Sequence, residues 1–391
     1  MKYKYAVIIP TCGNFNIFEK HFPRFAEYST NDTLIVLSVN PFDKEEAERS
    51  VQFAKKIIDV IKNAYDKGAP DLEVVMSDTA IGFGAAVNKG LRHLRDSHGF
   101  CDNIVIANDD LLVTENWLKY LRRSVKSKFV TTNQLLINDY SPVRTKNIFP
   151  KGKVGIVGPV SYGASGEQHV LNEKGLETFG LDDFARKWHE GNLGSSVVTT
   201  FLSGFCLMLN KECLVDLWLD KDDGIFDEDF VKGGYEDNDL CLRARQKGWI
   251  SLIATDCYIG HEAHSTFKLL NDSSIGLNNA FTFYKKYEKQ TQKKQNVIAA
   301  YRTAIKTVND IVQFKSSFIR AAKVLDGIAV VLTNNPAVCL GSYDKSLISR
   351  LPPRDQLFLE QSYEAKEPND LVEPILSWIQ DTLLERQTAF N

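Results

Sequence analysis

Two acidic clusters carry the residues best suited to chemistry. Glu236-Asp237-Asn238-Asp239 sets three carboxylates within four positions, with Phe226-Asp227-Glu228 just ahead, and Asn108-Asp109-Asp110 closes an apolar run. Carboxylate oxygens at a strand end suit a hard divalent cation such as Mn²⁺ or Mg²⁺, which would share its shell with phosphate oxygens. A carboxylate at a helix start can take a proton from a substrate hydroxyl. The two clusters together read as a metal site facing a general base.

Each cluster also has a plainer reading. Asn108-Asp109-Asp110 resembles an Asx turn that merely ends a strand, and on residue types alone the two readings are balanced. In the second cluster an acidic start and a basic last turn, Arg243, Arg245 and Lys247 before Gly248, match the helix dipole. Capping needs only one oxygen, however, and three mutually repelling carboxylates favour chemistry there. Gly82-Phe83-Gly84 leaves backbone N–H groups free for an anion, but a tight strand-to-helix turn is the simpler account. Its spacing is not the dinucleotide fingerprint, and no Gly-Lys-Ser/Thr follows. His261, in His261-Glu262-Ala263-His264, could complete a metal shell begun by Asp110, although a histidine pair without a third ligand is poor support for zinc.

The elements that must position these groups follow βαβ grammar. Tyr5 to Ile9 is a β-branched and aromatic run stopped by Pro10, and Leu34 to Val39 is stopped by Pro41. Between Ala47 and Ala64, Val51, Ala54, Ile57, Ile58 and Ile61 fall on one helical face. A strand over Leu72 to Met76 leads to a helix opened by Gly82 and running to about Arg95, and the strand Asn103 to Ala107 delivers the first acidic cluster. This alternation predicts an α/β fold, a mostly parallel doubly wound sheet with ligands at the strands' carboxyl ends. Further strands are expected at Val154 to Pro159, at Thr199 to Asn210 as one run, and at Trp249 to Ala254. Polar stretches at 130–155 and 163–196 have the composition of substrate loops. Beyond Asn278 the chain turns helical and basic, with a helix over Val297 to Leu325, a buried strand and turn over Asp326 to Pro336, a strand at Asp355 to Glu360, and a closing helix over Leu371 to Arg386.

At 391 residues, 43% hydrophobic and 25% charged, the chain has room for two domains. A net charge of -3 argues against a surface built to hold nucleic acid. The seven cysteines are scattered and lack C-x-x-C spacing, so they read as buried thiols in a reducing compartment. No apolar run reaches membrane-spanning length and no signal-peptide core opens the chain, so a cytoplasmic protein is expected.

Taken in order, the motifs resemble the inverting nucleotide-sugar glycosyltransferases of family 2, with the GT-A fold, and specifically the rhamnosyltransferase-like subgroup. Val7-Ile8-Ile9-Pro10-Thr11 resembles the opening strand, Gly82 through Gly90 the glycine turn, Asn108-Asp109-Asp110 the metal motif, and Gly204-Phe205-Cys206-Leu207-Met208 the acceptor-side strand. Phe226-Asp227-Glu228 with Glu236 to Leu240 resembles the catalytic signature, and His261 through Phe267 the late histidine loop. The resemblance covers roughly residues 3 to 290.

It implies a Rossmann-like mixed sheet over 1–290, with a nucleotide-sugar half (1–125) and an acceptor half (126–290). A helical linker (291–325) and a small α/β module (326–391) would follow. That module more faintly resembles the start of a second glycosyltransferase-type unit, and would serve as a further domain or a homo-oligomer contact. By position Asp237 would be the base, with Glu236, Asp239 and Gly204 orienting the acceptor or the base. Asp110 and His261 would hold Mn²⁺ or Mg²⁺. Pro10, Thr11, Ser38, Asn40, Asp78, Gly82, Phe83, Asn88, Asn108 and Asp109 would contact a UDP- or dTDP-linked donor, the acceptor being a glycan or lipid-linked glycan of polysaccharide biosynthesis. Relatives carry an Asp against the base where this chain has Ser38-Val39-Asn40, so Ser38, Asn40 and Asp78 are alternatives for that contact. The rival readings are a sugar nucleotidyltransferase, for which Thr11-Cys12-Gly13-Asn14 lacks the expected basic residues, a silent binding module, and a transferase acting on a modified nucleic-acid base.

Overall fold

The computed structural model describes residues 2–64, 68–126, 153–164, 166–170 and 178–262, together with 279, 282–283, 285–287, 322–325, 328–331 and 337–340. The chain divides into two compact units, Met1–Glu228 with Glu236–Asn271, and Asp229–Tyr235 with Asp272–Asn391.

The first unit is a three-layer α/β sandwich. Its strands are β1 (Tyr5–Thr11), β2 (Thr33–Val39), β3 (Asp71–Met76), β4 (Asn103–Ala107), β5 (Leu111–Leu112), β6 (Lys153–Val160), β7 (Val197–Thr199), β8 (Cys206–Asn210), β9 (Trp249–Tyr258) and β10 (Gly260–His261). Its helices are α1 (Phe15–Glu27), α2 (Lys44–Ala64), α3 (Phe83–His98), α4 (Trp117–Val125), α5 (Leu181–Gly191), α6 (Lys211–Asp216) and α7 (Glu236–Gln246). Eight strands form one mixed sheet in the order β3-β2-β1-β4-β8-β6-β9-β7, while β5 and β10 pair antiparallel as a separate ladder. β3, β2, β1 and β4 run parallel, as the βαβ pattern requires, and β8 enters antiparallel to both β4 and β6.

Alternation along β1 sorts the core. Tyr5, Val7 and Ile9 join one cluster with Phe18, Phe22 and Phe25 of α1, Ala47 and Val51 of α2, and Trp117 and Leu121 of α4. Ala6 and Ile8 join the other with Val87, Leu91 and Leu94 of α3, Phe184 of α5, and Leu240 and Ala244 of α7. Each fully buried aliphatic or aromatic side chain contributes about 1.5–3 kcal/mol. A one-residue slip of β1 would exchange the faces of all five residues, so the register is tightly specified. Close packing is visible at Gly90 of α3, where a Cβ would lie 2.7 Å from Ile8 Cγ2.

The run Thr199 to Asn210 is not one strand. Its ends are β7, paired with β9, and β8, paired with β4 and β6, and residues 200–205 form a connection between them. Ser203-Gly204 interrupts the apolar run, and side chains claim the backbone donors of Leu202, Ser203 and Gly204 that a ladder would use. The strand at Trp249 extends to Tyr258, beyond the expected Ala254.

In the second unit, Lys232, Gly233, Gly234 and Tyr235 all have positive φ (64°, 118°, 102° and 74°). The Asn279 amide donates to Val231 O and Gly233 O, both at 3.0 Å, and Tyr235 packs on Phe283. β11 (Ala322–Leu325), β12 (Ile328–Val331) and β13 (Ala337–Leu340) form an antiparallel sheet. The helix expected to run to Leu325 therefore gives way to a strand at Ala322. Two residues, Asp326-Gly327, separate β11 from β12, too few for the crossover that parallel strands require. The expected helix from Val297, apart from that end, lies outside the described residues, as do the strand at Asp355 to Glu360 and the helix at Leu371 to Arg386.

Candidate active site

The expected site residues gather at the carboxyl ends of β1 and β4 and at the start of α7. β1 ends in Pro10-Thr11, and the buried Thr11 Oγ1 donates to Asp109 Oδ2 at 2.6 Å. Burial, and then the neighbouring Asp110 charge, push the Asp109 carboxyl up to about 7. The short β5–β10 ladder pairs Leu111 with His261, which sets Asp110 beside the imidazole: Nε2 lies 3.3 Å from Asp110 Oδ1. His261 Nδ1 is 3.0 Å from Gly163 O. A carbonyl only accepts, so Nδ1 carries the proton of that bond and Nε2 is the atom turned to the carboxylate. Gly163 has no room for a side chain, since a Cβ there would lie 2.2 Å from His261 O.

A buried pair of this kind fits a cation. Asp110 Oδ1 and Asn108 Oδ1 are buried without a hydrogen-bond partner. Among the described residues no three His, Cys, Asp or Glu side chains form a cation-binding group. The described residues thus offer a partial shell, the arrangement suited to a metal that draws remaining ligands from substrate phosphates and water.

At the start of α7, Asp237 Oδ2 accepts the Gly204 N–H and Oδ1 accepts its neighbour's N–H at Asn238, both at 2.8 Å. Burial raises its carboxyl above the ordinary value, while these two donors oppose the rise. Glu236 is buried beside it. Asp239 is fully buried and bound at 2.7 Å by Arg243 Nε, and the same guanidinium donates to Leu217 O and Ile225 O. Its carboxylate is turned to the fold.

The two acidic sites meet through Phe205. Gly204 holds Asp237, the next residue's carbonyl accepts Asn108 N–H at 2.9 Å, and the Phe205 ring stacks on His261 at 4.9 Å. One dipeptide therefore touches the base candidate, the β4 terminus and the imidazole.

The other expected contacts divide. Ser38 Oγ donates to Ala86 O, and the Asn40 amide donates to Thr11 O. Asn88 clasps Phe226 from both sides, donating to its carbonyl at 2.8 Å and accepting from its N–H at 3.0 Å. These side chains tie strands and the Phe226-Asp227-Glu228 segment to α3. Gly82 begins α3 at φ 87°, Phe83 packs on Phe226, and Asp78 is exposed beyond β3.

His21 and Glu262 are additions that motif reading missed. His21 of α1 is almost fully buried, and its Nε2 lies 3.3 Å from Glu262 Oε2. Glu262 N–H donates to Asp110 O, and Lys20 pairs with the Glu262 carboxylate. The signal was present: Phe18, His21, Phe22 and Phe25 share the core-facing side of α1.

No family model and no curated protein matches the chain. Solved structures similar to it include a mannosyltransferase from Pyrobaculum calidifontis in complex with GDP-Man and Mn²⁺, at 14% identity and a TM-score of 0.43, covering 74% of this chain and 64% of that one. GalNAc-T7 with UDP, GalNAc and Mn²⁺ is similar at 10% identity and 0.40, covering 84% and 62%. S. aureus TarS 1-349 is similar at 12% and 0.37, covering 87% and 100%. The chain spans less than two thirds of the first two.

The raised Asp109 carboxyl has a consequence for stability. In metal-free protein its stabilising contribution is full below 3.8 and is lost as pH rises toward about 7, because the folded state binds the proton more tightly than the unfolded chain. Asp109→Asn keeps an acceptor for Thr11 and removes the titration. Its melting temperature in EDTA should gain on the wild type between pH 5 and pH 8, by on the order of a few kcal/mol in stability. Equal gaps at the two pH values would contradict this.

Proposed function

We propose that this protein is a metal-dependent inverting glycosyltransferase with the GT-A fold, similar to the rhamnosyltransferase-like members of family 2. It would move a sugar from a nucleoside-diphosphate donor, UDP- or dTDP-linked, to a hydroxyl of a glycan or lipid-linked glycan. The observation that carries the reading is the Gly204-Phe205 link between Asp237 and the Asp110–His261 pair. The ordered sequence motifs support it independently.

Asp110 and His261 would hold Mn²⁺ or Mg²⁺. When bound, the cation offsets charge on the diphosphate leaving group. Asp237 takes the proton of the acceptor hydroxyl as that oxygen attacks the anomeric carbon, and the bond to the diphosphate breaks with its electron pair leaving on the nucleotide. Attack opposite the leaving group inverts the anomeric configuration. Burial makes Asp237 a stronger base than a solvated carboxylate, so turnover rises with pH as this group ionises.

The reading is tested by incubating the protein with Mn²⁺ and a panel of nucleotide sugars, and following release of the nucleoside diphosphate. With one donor, slow transfer to water should free the sugar with inverted configuration, read by NMR before mutarotation. Retention of configuration would remove the inverting mechanism, and no release from any donor would remove the activity.

A further inference from the structure

Gln168 lies in a short 3-10 turn (Gly166–Gln168), outside every motif of the sequence, yet it is 1% exposed and both ends of its amide are used. Its Nε2 donates to Pro159 O of β6 at 2.8 Å, and its Oε1 accepts the Ser203 N–H at 2.7 Å. The site is cut to fit the amide: a Cβ on Gly158 would lie 2.5 Å from Nε2. Ser203 immediately precedes Gly204, whose N–H is the donor to Asp237 Oδ2. The 200–205 connection thus has two successive donors, one held by Gln168 and the other directed at the base.

We propose that Gln168 is a positioning residue for Asp237: by fixing the Ser203 N–H it aims the adjacent Gly204 N–H at the carboxylate and so sets how readily that carboxylate ionises. This rests on the reading of Asp237 as the base. Other anchors hold the connection on both sides of Ser203-Gly204, the Asn108 N–H donating to Phe205 O among them, but Gln168 is the side chain that bonds the Ser203 N–H. Thr199 Oγ1 donates to Glu167 Oε2 at 2.6 Å, and Leu202 N–H donates to Cys241 Sγ at 3.4 Å. On Asp237's own helix the titratable neighbours are Glu236, buried beside it, Asp239, paired with Arg243, and Cys241, one turn along, whose thiol burial keeps neutral, pushed up to about 12. The 200–205 side faces Asp237 with backbone N–H groups and brings no charge of its own, so the Gly204 donor is the lever available to it. The oxygen of Gln168 carries the effect, because it is the atom that Ser203 meets. Glutamate at 168 retains that acceptor, and leucine removes it.

The test is the carboxyl ¹³C NMR titration of Asp237 in the full chain, assigned with Asp237→Asn, in wild type, Gln168→Leu and Gln168→Glu. It needs no donor, metal or acceptor, so its outcome is separate from that of the transferase reading. Loss of the aimed donor in Gln168→Leu should raise the Asp237 midpoint by about one pH unit. Gln168→Glu, which fits this buried site as the neutral acid with its O–H donated to Pro159 O, should titrate within a few tenths of wild type. A folded Gln168→Leu protein with an unmoved Asp237 midpoint overturns the proposal. So does a Gln168→Glu midpoint displaced as far as that of Gln168→Leu, since the acceptor would then not be what matters. If Gln168→Leu does not fold, Gln168→Glu and Gln168→Met decide it by the same comparison. Once a donor is in hand, the acidic limb of kcat should move with the NMR midpoint while the donor KM stays fixed.

Discussion

Replacing Asp237 with asparagine is expected to lower kcat by about 10³-fold, within the range of about 10²–10⁴ for loss of a general base. Affinity for the nucleotide sugar should be unchanged. The substitution is nearly isosteric, and with the asparagine oxygen accepting the Gly204 N–H at the cost of the bond from Asn238 N–H, the fold and the 200–205 connection persist. The lost element is the capacity to hold a proton, which burial had enhanced in the wild type. Steady-state kinetics alongside equilibrium binding of the donor separate the two effects. A variant that keeps more than a tenth of wild-type turnover would move the base to another residue.

The second large effect is on stability. Arg243→Ala removes three hydrogen bonds at once, to Asp239, Leu217 O and Ile225 O, and takes the guanidinium away from a fully buried carboxylate. Breaking one side of a buried ion pair costs about 3–5 kcal/mol. Chemical denaturation should show a loss of that size with the slope unchanged. Asp239→Asn should be milder, because a neutral amide can still accept from Arg243 and the guanidinium keeps its bonds to the Leu217 and Ile225 carbonyls. If Asp239→Asn instead left stability untouched and abolished activity, Asp239 would belong to the chemistry rather than to the fold.

That contrast shows what the sequence makes legible. Strands β1, β2 and β4 and helices α2 and α3 are readable because local pattern and tertiary burial agree there, while β3, a partly buried edge strand, is readable from its local pattern. Each apolar stripe found by periodicity is a face of one of the two cores. Asp110 and His261 could be put together from ligand chemistry and from resemblance but not from local pattern, since the β5–β10 ladder that joins them bridges about 150 residues of chain and has two residues per strand. Acidic residues of one cluster look alike in sequence and differ in three dimensions. Asp237 keeps its oxygens on backbone donors, while Asp239, two residues on, is rotated inward to Arg243. Asn88 shows the same limit, being part of a motif yet spent on clasping Phe226. Gln168 and His21 carry no motif, and their significance comes from partners distant in the chain.

The central claim is that Asp110 and His261 hold a cation that in turn holds the donor's diphosphate. Calorimetric titration of UDP, dTDP and GDP into the protein, with Mn²⁺ and with EDTA, tests it most directly in wild type and Asp110→Ala. The expected result is binding of at least one diphosphate by wild type only when Mn²⁺ is present, weakened about 100-fold or more in Asp110→Ala. Binding that ignores both the metal and the substitution would contradict the claim, as would no binding of any diphosphate with Mn²⁺ present.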